Sequence, residues 1–157
     1  MKRHQEDLSV ISVLALMMFV LSGCGASAEE VRATKVIAIC DEANSALKAL
    51  TLDEIVPGSS ADWSQIQSTY SGLRSKLQTL SSQLAELDES QLARDFSSVS
   101  KAVGSIEATA SFIQLVGGGP TYAGDYVLRD EWLSAVNKFT DDEGLRSDRT
   151  FVGCKSS

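Results

Sequence analysis

Few side chains in this sequence can do chemistry alone, and their positions narrow the options. It holds three cysteines, Cys24, Cys40 and Cys154, and one histidine, His4. Ser45-Ala46-Leu47-Lys48 and Ser98-Val99-Ser100-Lys101 both have the S-x-x-K spacing, in which a lysine could activate a serine. Two hits in a serine-rich chain, without companion motifs, carry little weight. Asp141-Asp142-Glu143, with Asp148 nearby, offers hard oxygen ligands of the kind calcium takes. The spacing does not match a helix–loop–helix calcium site, so a solvated acidic loop is expected and no metal is assigned. Asp125 and Asp130 are the carboxylates that a catalytic cleft would have to bring together. Tyr122, Tyr126 and Trp132 could line a binding patch, although aromatics at helical spacing more often belong to a core. Gly117-Gly118-Gly119-Pro120 lacks the spacing and the lysine of a phosphate-cradling loop and is expected to stop a helix.

The first segment explains Cys24 and His4. Lys2 and Arg3 precede a run from Leu8 to Leu21 that is almost continuously apolar. That run is shorter than the roughly 20 apolar residues a membrane-spanning helix needs, and fits the apolar region of an export signal. Glu6 and Asp7 offset the two leading cations, an unusual feature for such a signal. Leu21-Ser22-Gly23-Cys24 resembles the lipobox of bacterial lipoproteins, a leucine and two small residues before a cysteine. The resemblance covers this segment alone. It implies cleavage between Gly23 and Cys24, with a diacylglycerol and palmitate-type acyl chains on Cys24. Residues 1–23 are then the signal peptide, 24–27 a short lipidated linker and 28–157 the folded domain. The protein is expected at the cell membrane, held to the bilayer through acylated Cys24 and facing the extracytoplasmic side of the cell envelope.

Cleavage removes two charges of each sign, so the mature chain keeps the net charge of −7 and loses the only histidine. Without histidine, Ser-His and Cys-His catalysis and His-ligated metals are excluded. An acidic chain without a basic block is a poor partner for nucleic acid. Cys40 and Cys154 remain, outside the cytosol, where disulfides persist, and they have one possible pairing. A Cys40–Cys154 bridge is therefore expected. No C-x-x-C spacing supports a redox pair.

The elements that must position these residues are helical. Ser27-Ala28-Glu29-Glu30 is a capping box opening a helix to about Leu50, with Ala33, Val36, Cys40, Ala43, Leu47 and Leu50 on its apolar stripe. Thr51-Leu52-Asp53-Glu54 is a second box, and Pro57-Gly58 turns the chain. From Ser59 to Leu87 the apolar residues Trp63, Ile66, Tyr70, Leu73, Leu77, Leu80, Leu84 and Leu87 alternate steps of three and four, a heptad seam. The seam breaks at Asp88, where Asp88 and Gln91 are expected to cap the next helix and Leu87 and Leu92 to staple it. That helix turns Leu92, Phe96, Val99, Val103, Ile106, Ala110 and Ile113 inward, with Gly104, Ala108 and Ser111 as a flank for close helix packing. A shorter helix from about Val127 to Thr140 turns Leu128, Trp132, Val136 and Phe139 inward, and Phe151-Val152 docks beside Cys154.

The expected fold is all-α: an antiparallel bundle of three long helices plus a short C-terminal one, folding as a monomer. The expected function is a non-catalytic interaction or scaffold module, not an enzyme and without cofactor, whose partner is an envelope protein or cell-wall component. The alternative is a carrier lipoprotein for a small ligand or peptide, with an apolar pocket between the helices and the 117–126 loop.

Overall fold

The computed structural model describes residues 26–50, 62–116 and 125–154. The apolar run and Cys24, the Thr51–Glu54 box with Pro57-Gly58, and the Gly117–Pro120 stop with Tyr122 lie outside them. The chain divides into Met1–Val31 and Arg32–Ser157. Four helices make up the described residues: α1 (Ala28–Lys48), α2 (Trp63–Glu86), α3 (Ser90–Leu115) and α4 (Asp125–Thr140). None of them is long and apolar enough to cross a membrane.

The start of α1 is the predicted capping box. The Glu30 amide donates to Ser27 Oγ at 3.2 Å, and the Ser27 amide donates to Glu30 Oε2 at 2.6 Å, so two orphan N–H groups are satisfied reciprocally. Ile39, Cys40, Ala43, Leu47 and Leu50 are buried and Val36 partly so. Ala33 is exposed, contrary to the expected stripe, and Ile39 takes the inward place beside Cys40. A methyl group on the first turns contributes too little apolar area to fix the helix's rotation.

The heptad seam of α2 forms as predicted. Trp63, Tyr70, Leu73, Leu77, Leu80 and Leu84 are buried, with Ile66 and Leu87 packed at the margin. Asp62 caps it, its Oδ1 accepting the Ser64 and Gln65 amides at 3.1 Å each. The turn into α3 differs from expectation. Asp88 does not cap α3; it takes a left-handed backbone with φ 59°. Its amide donates to Ala85 O at 3.1 Å and the Glu89 amide to Leu84 O at 2.9 Å. This is a Schellman ending for α2, with Asp88 in the place glycine usually fills. Glu89 is the N-cap residue of α3 without a side-chain cap bond, and Gln91 instead donates to Asp95 Oδ1 at 2.8 Å.

The turn is tight, so α2 and α3 lie antiparallel and very close. Ser81 Oγ donates to Ala93 O at 2.7 Å and Ser100 Oγ to Arg74 O at 3.2 Å, each hydroxyl reaching the facing backbone. The expected small-residue flank works differently. Ala108 is exposed, and Gly104 makes room for Arg74, which would stand 3.3 Å from an added Cβ and which pairs with Glu107 at 3.1 Å.

Two ion pairs orient α1. Arg32 meets Glu89 at 2.9 Å beside the α2–α3 turn, and Glu42 meets Lys76 at 3.1 Å further along. Helix α1 therefore runs antiparallel to α2. Helix α4 runs antiparallel to α3: Ser98 near the start of α3 donates to Asp142 just past α4, at 2.9 Å. Trp132 of α4 packs edge-to-face on Trp63 and Tyr70, at 5.3 and 6.4 Å between ring centroids. The fold is thus an all-α antiparallel bundle with the four helices alternating in direction. Phe96, Val103, Ile106, Ile113 and Phe139 have no exposed surface at its centre. Burial pushes the Tyr70 hydroxyl up to about 12, against a lowering by Arg149.

Beyond α4 the chain forms a small hairpin. Leu145 and Phe151 pair as an antiparallel bridge, Phe151 stacks on Phe96 at 3.8 Å, and Arg149 at φ 62° makes the turn. Phe151 docks beside Cys154 as predicted. Val152 does not; it is exposed, because the chain turns directly after the Phe151 bridge.

Candidate functional site

Some of the groups singled out from the sequence, Cys40, Cys154, Asp148, Ser45 and Lys48, meet where this hairpin lies against α1. Cys40 and Cys154 form a disulfide with 5.6 Å between their Cα atoms, both residues 2% exposed. The inward stripe of α1 puts Cys40 at the interface, and the hairpin brings Cys154 to it. Beside the bridge, the Phe151 amide donates to Asn44 Oδ1 at 3.0 Å, and Arg149 donates to Leu50 O at 2.9 Å.

Arg146 organises the hairpin from within. Its Nη1 donates to Thr150 Oγ1 at 3.1 Å and Phe151 O at 2.7 Å; its Nη2 donates to Val152 O at 2.7 Å and Cys154 O at 3.1 Å. A planar guanidinium suits this work, because its donors are fixed in a fork that can gather several carbonyls of a turning chain. Asp148 Oδ1 accepts the Thr150 hydroxyl at 2.6 Å and the Thr150 amide at 3.2 Å. The hydroxyl bond above all, with the nearby cations Lys48 and Arg146, holds the Asp148 carboxyl below its ordinary range.

Between α1 and the hairpin lies an open cleft of about 530 Å³, lined by Asp41, Asn44, Ser45, Lys48, Arg146, Asp148, Thr150 and Cys154. Positions 41, 44, 45 and 48 share one face of α1 by helical spacing. The cleft is polar and its formal charges balance, two acids against two bases. Most of its strong groups already serve the fold: Arg146 holds carbonyls, Asp148 holds Thr150, and Asn44 holds the Phe151 amide. Lys48, Ser45 and Asp41 are exposed. The arrangement can bind a small polar group by hydrogen bonds and charge. Its lining holds no histidine and no free thiol.

The remaining candidates are dispersed. Asp142 Oδ1 accepts the Gly144 amide and Oδ2 the Ser98 hydroxyl, both at 2.9 Å, while Asp141 and Glu143 are exposed. Among the described residues no three His, Cys, Asp or Glu side chains are grouped to hold a metal. Ser98 gives its proton to Asp142, not to Lys101, which is exposed. Asp125 opens α4 and Asp130 is exposed on it. Trp132 is core and Tyr126 is surface, so the aromatic patch is not a unit.

One feature of the surface went unforeseen. Leu115 is 83% exposed, Tyr126 78%, Val127 64% and Phe112 51%, with Val116 beside them in sequence. Phe112 and Leu115 lie on the last turn of α3, Val116 is its C-cap, and Tyr126 and Val127 lie on the first turn of α4. The signal was present in the sequence: none of the five falls on the inward step of its helix.

No family model matches the chain, and no curated protein and no solved structure is found similar to it.

Proposed function

We propose that this protein is a lipid-anchored, non-catalytic interaction module on the extracytoplasmic side of a bacterial cell envelope. Leu21-Ser22-Gly23-Cys24 supplies the anchor reading. The buried Cys40–Cys154 bridge supports an oxidising compartment, where such bonds persist. The observation that carries the interaction reading is the distribution of groups. Many polar groups of the described residues serve the fold, Ser27 and Asp62 in caps and Arg146 and Asp148 in the hairpin, while large apolar side chains stand exposed at the α3–α4 end. Apolar residues gathered in that way mark contact surfaces more often than reaction sites.

The carrier reading keeps one observation in its favour, the cleft between α1 and the hairpin. Its lining favours a small polar ligand over an apolar one.

Fractionation of cells producing the wild-type chain and Cys24→Ala tests the anchor. The wild type is expected in the membrane fraction at the size of a chain cleaved after Gly23, and the variant is expected uncleaved or released. A variant that stays membrane-bound at the same processed size overturns the lipoprotein reading.

A further inference from the structure

The two walls of the cleft between α1 and the hairpin differ in what the fold leaves unused. On the hairpin wall, Arg146 is spent on carbonyls and Asp148 on Thr150. On the α1 wall, Asp41, Ser45 and Lys48 line the cleft. Among the described residues their side chains make no hydrogen bond and no ion pair. Lys48 is near enough to Asp148 to help hold that carboxyl below its ordinary range, yet the two do not form an ion pair. Asn44 gives its Oδ1 to the Phe151 amide, which leaves its Nδ2 to donate. Asp41 and Lys48 are seven positions apart, close to two full turns, so they stand on one line of α1, about 10 Å apart along its axis. Ser45 lies between them on the same face.

This row of an acid, a hydroxyl and an ammonium selects a ligand by charge and length. A ligand of one sign gains at one end of the row and loses at the other, whereas one carrying both signs gains at each. Its cation and anion must stand about 10 Å apart to meet Asp41 and Lys48 together, with hydrogen-bonding groups between them for Ser45 and Asn44. An extended chain advances about 3.3–3.6 Å per residue, so a peptide of two or three residues with free termini fits. A single amino acid is too short. The volume of about 530 Å³ is in the range of small-ligand sites. We infer that the cleft binds a short zwitterionic peptide, with its ammonium on Asp41, its carboxylate on Lys48 and its backbone on Ser45 and Asn44. This inference deepens the carrier reading, on which it rests, and is independent of whether Cys24 is lipidated.

The test titrates trialanine into the isotope-labelled full chain in detergent and follows backbone amide shifts by NMR. Acetyl-trialanine and trialanine amide each lack one terminal charge, and maltose is the neutral probe. Trialanine is expected to shift amides in 41–48 and 146–154 and to bind in the millimolar range, because both charge pairs stay exposed, more weakly as salt rises. Lys48→Gln is expected to weaken trialanine about threefold, the loss of one exposed pair, and to leave trialanine amide unchanged, since that peptide has no carboxylate to lose. Asp41→Asn is expected to weaken trialanine as much and to leave acetyl-trialanine unchanged. Lys101→Gln, which removes an exposed cation from α3 outside the cleft, is expected to change nothing. Helical circular dichroism confirms that each variant is folded. Trialanine binding that neither Lys48→Gln nor Asp41→Asn weakens, or that Lys101→Gln weakens equally, overturns the inference. Maltose binding at the cleft without trialanine binding overturns it and leaves the carrier reading standing. No shift with any probe overturns both.

Discussion

At Asp88 the backbone holds a left-handed conformation that costs most L-residues about 1–2 kcal/mol, and asparagine and aspartate less. Glycine takes it without steric cost. Asp88→Gly should therefore stabilise the domain, by about 0.5–1 kcal/mol, and Asp88→Ala should destabilise it by a similar amount. Urea unfolding of the three proteins checks the order Gly, Asp, Ala; an alanine variant as stable as the glycine one would contradict the Schellman assignment. The break in the seam at Asp88 was legible from the sequence, because continuing it would have placed Gln91 and Arg94 inside. The role of Asp88 was not legible, since aspartate suits both an N-cap and a left-handed C′ position and only the two backbone bonds decide. The same limit applies at Ala33 and Val152. A small side chain, or one apolar pair in a polar tail, carries too weak a periodic signal to say which way it faces.

Among the elements, the four helices were readable because each has a long run of apolar steps, and the α2 seam fixed its face over its whole length. The hairpin after α4 was not. It is too short for periodicity, and Arg146, the residue that gathers its carbonyls, looks in sequence like any surface arginine. Asp148 and Thr150 gave the one local sign, a carboxylate two residues before the amide it accepts. The bridge is what ties this element to α1. With a sequence separation of 114 between its ends, it should stabilise the fold by about 4–5 kcal/mol in the chain-entropy picture. Cys40→Ser/Cys154→Ser should lose that amount in urea unfolding. The unreduced, denatured wild type should take up no thiol reagent at either position by intact mass. Alkylation of both would refute the bridge.

At the scale of the whole molecule, heptad sequences can zip between chains as well as within one. The Asp88 turn favours folding back, because it presents the second helix at high effective concentration. The stripes of α1 and α4 then cover the rest of the seam, with Cys40, Leu47, Trp132 and Phe139 all buried within one chain. The mature chain carrying Cys24→Ser should scatter light as a monomer across a wide concentration range. A dimer persisting at the lowest concentration would show that the seam is shared between chains. The candidate cleft was only half legible: Cys154, Asp148, Ser45 and Lys48 stood out in the sequence, but Asp41, Asn44 and Arg146 acquire meaning only when the hairpin lies on α1.

The disulfide also decides how the protein bears tension. Cys40 lies within the first helix and Cys154 after the last element, so a pull between the N-terminal side of α1 and Cys154 passes through a covalent shortcut. The chain from 41 to 153, with α2, α3 and α4, lies off that line and carries none of the load. Only the stretch of α1 ahead of Cys40 is stretched. A pull applied at the α3–α4 end has no such bypass: it runs through non-covalent packing of the helices. A load between the start of α1 and Cys154 is thus borne by covalent bonds beyond Cys40, and a load on Leu115 or Tyr126 by helix packing.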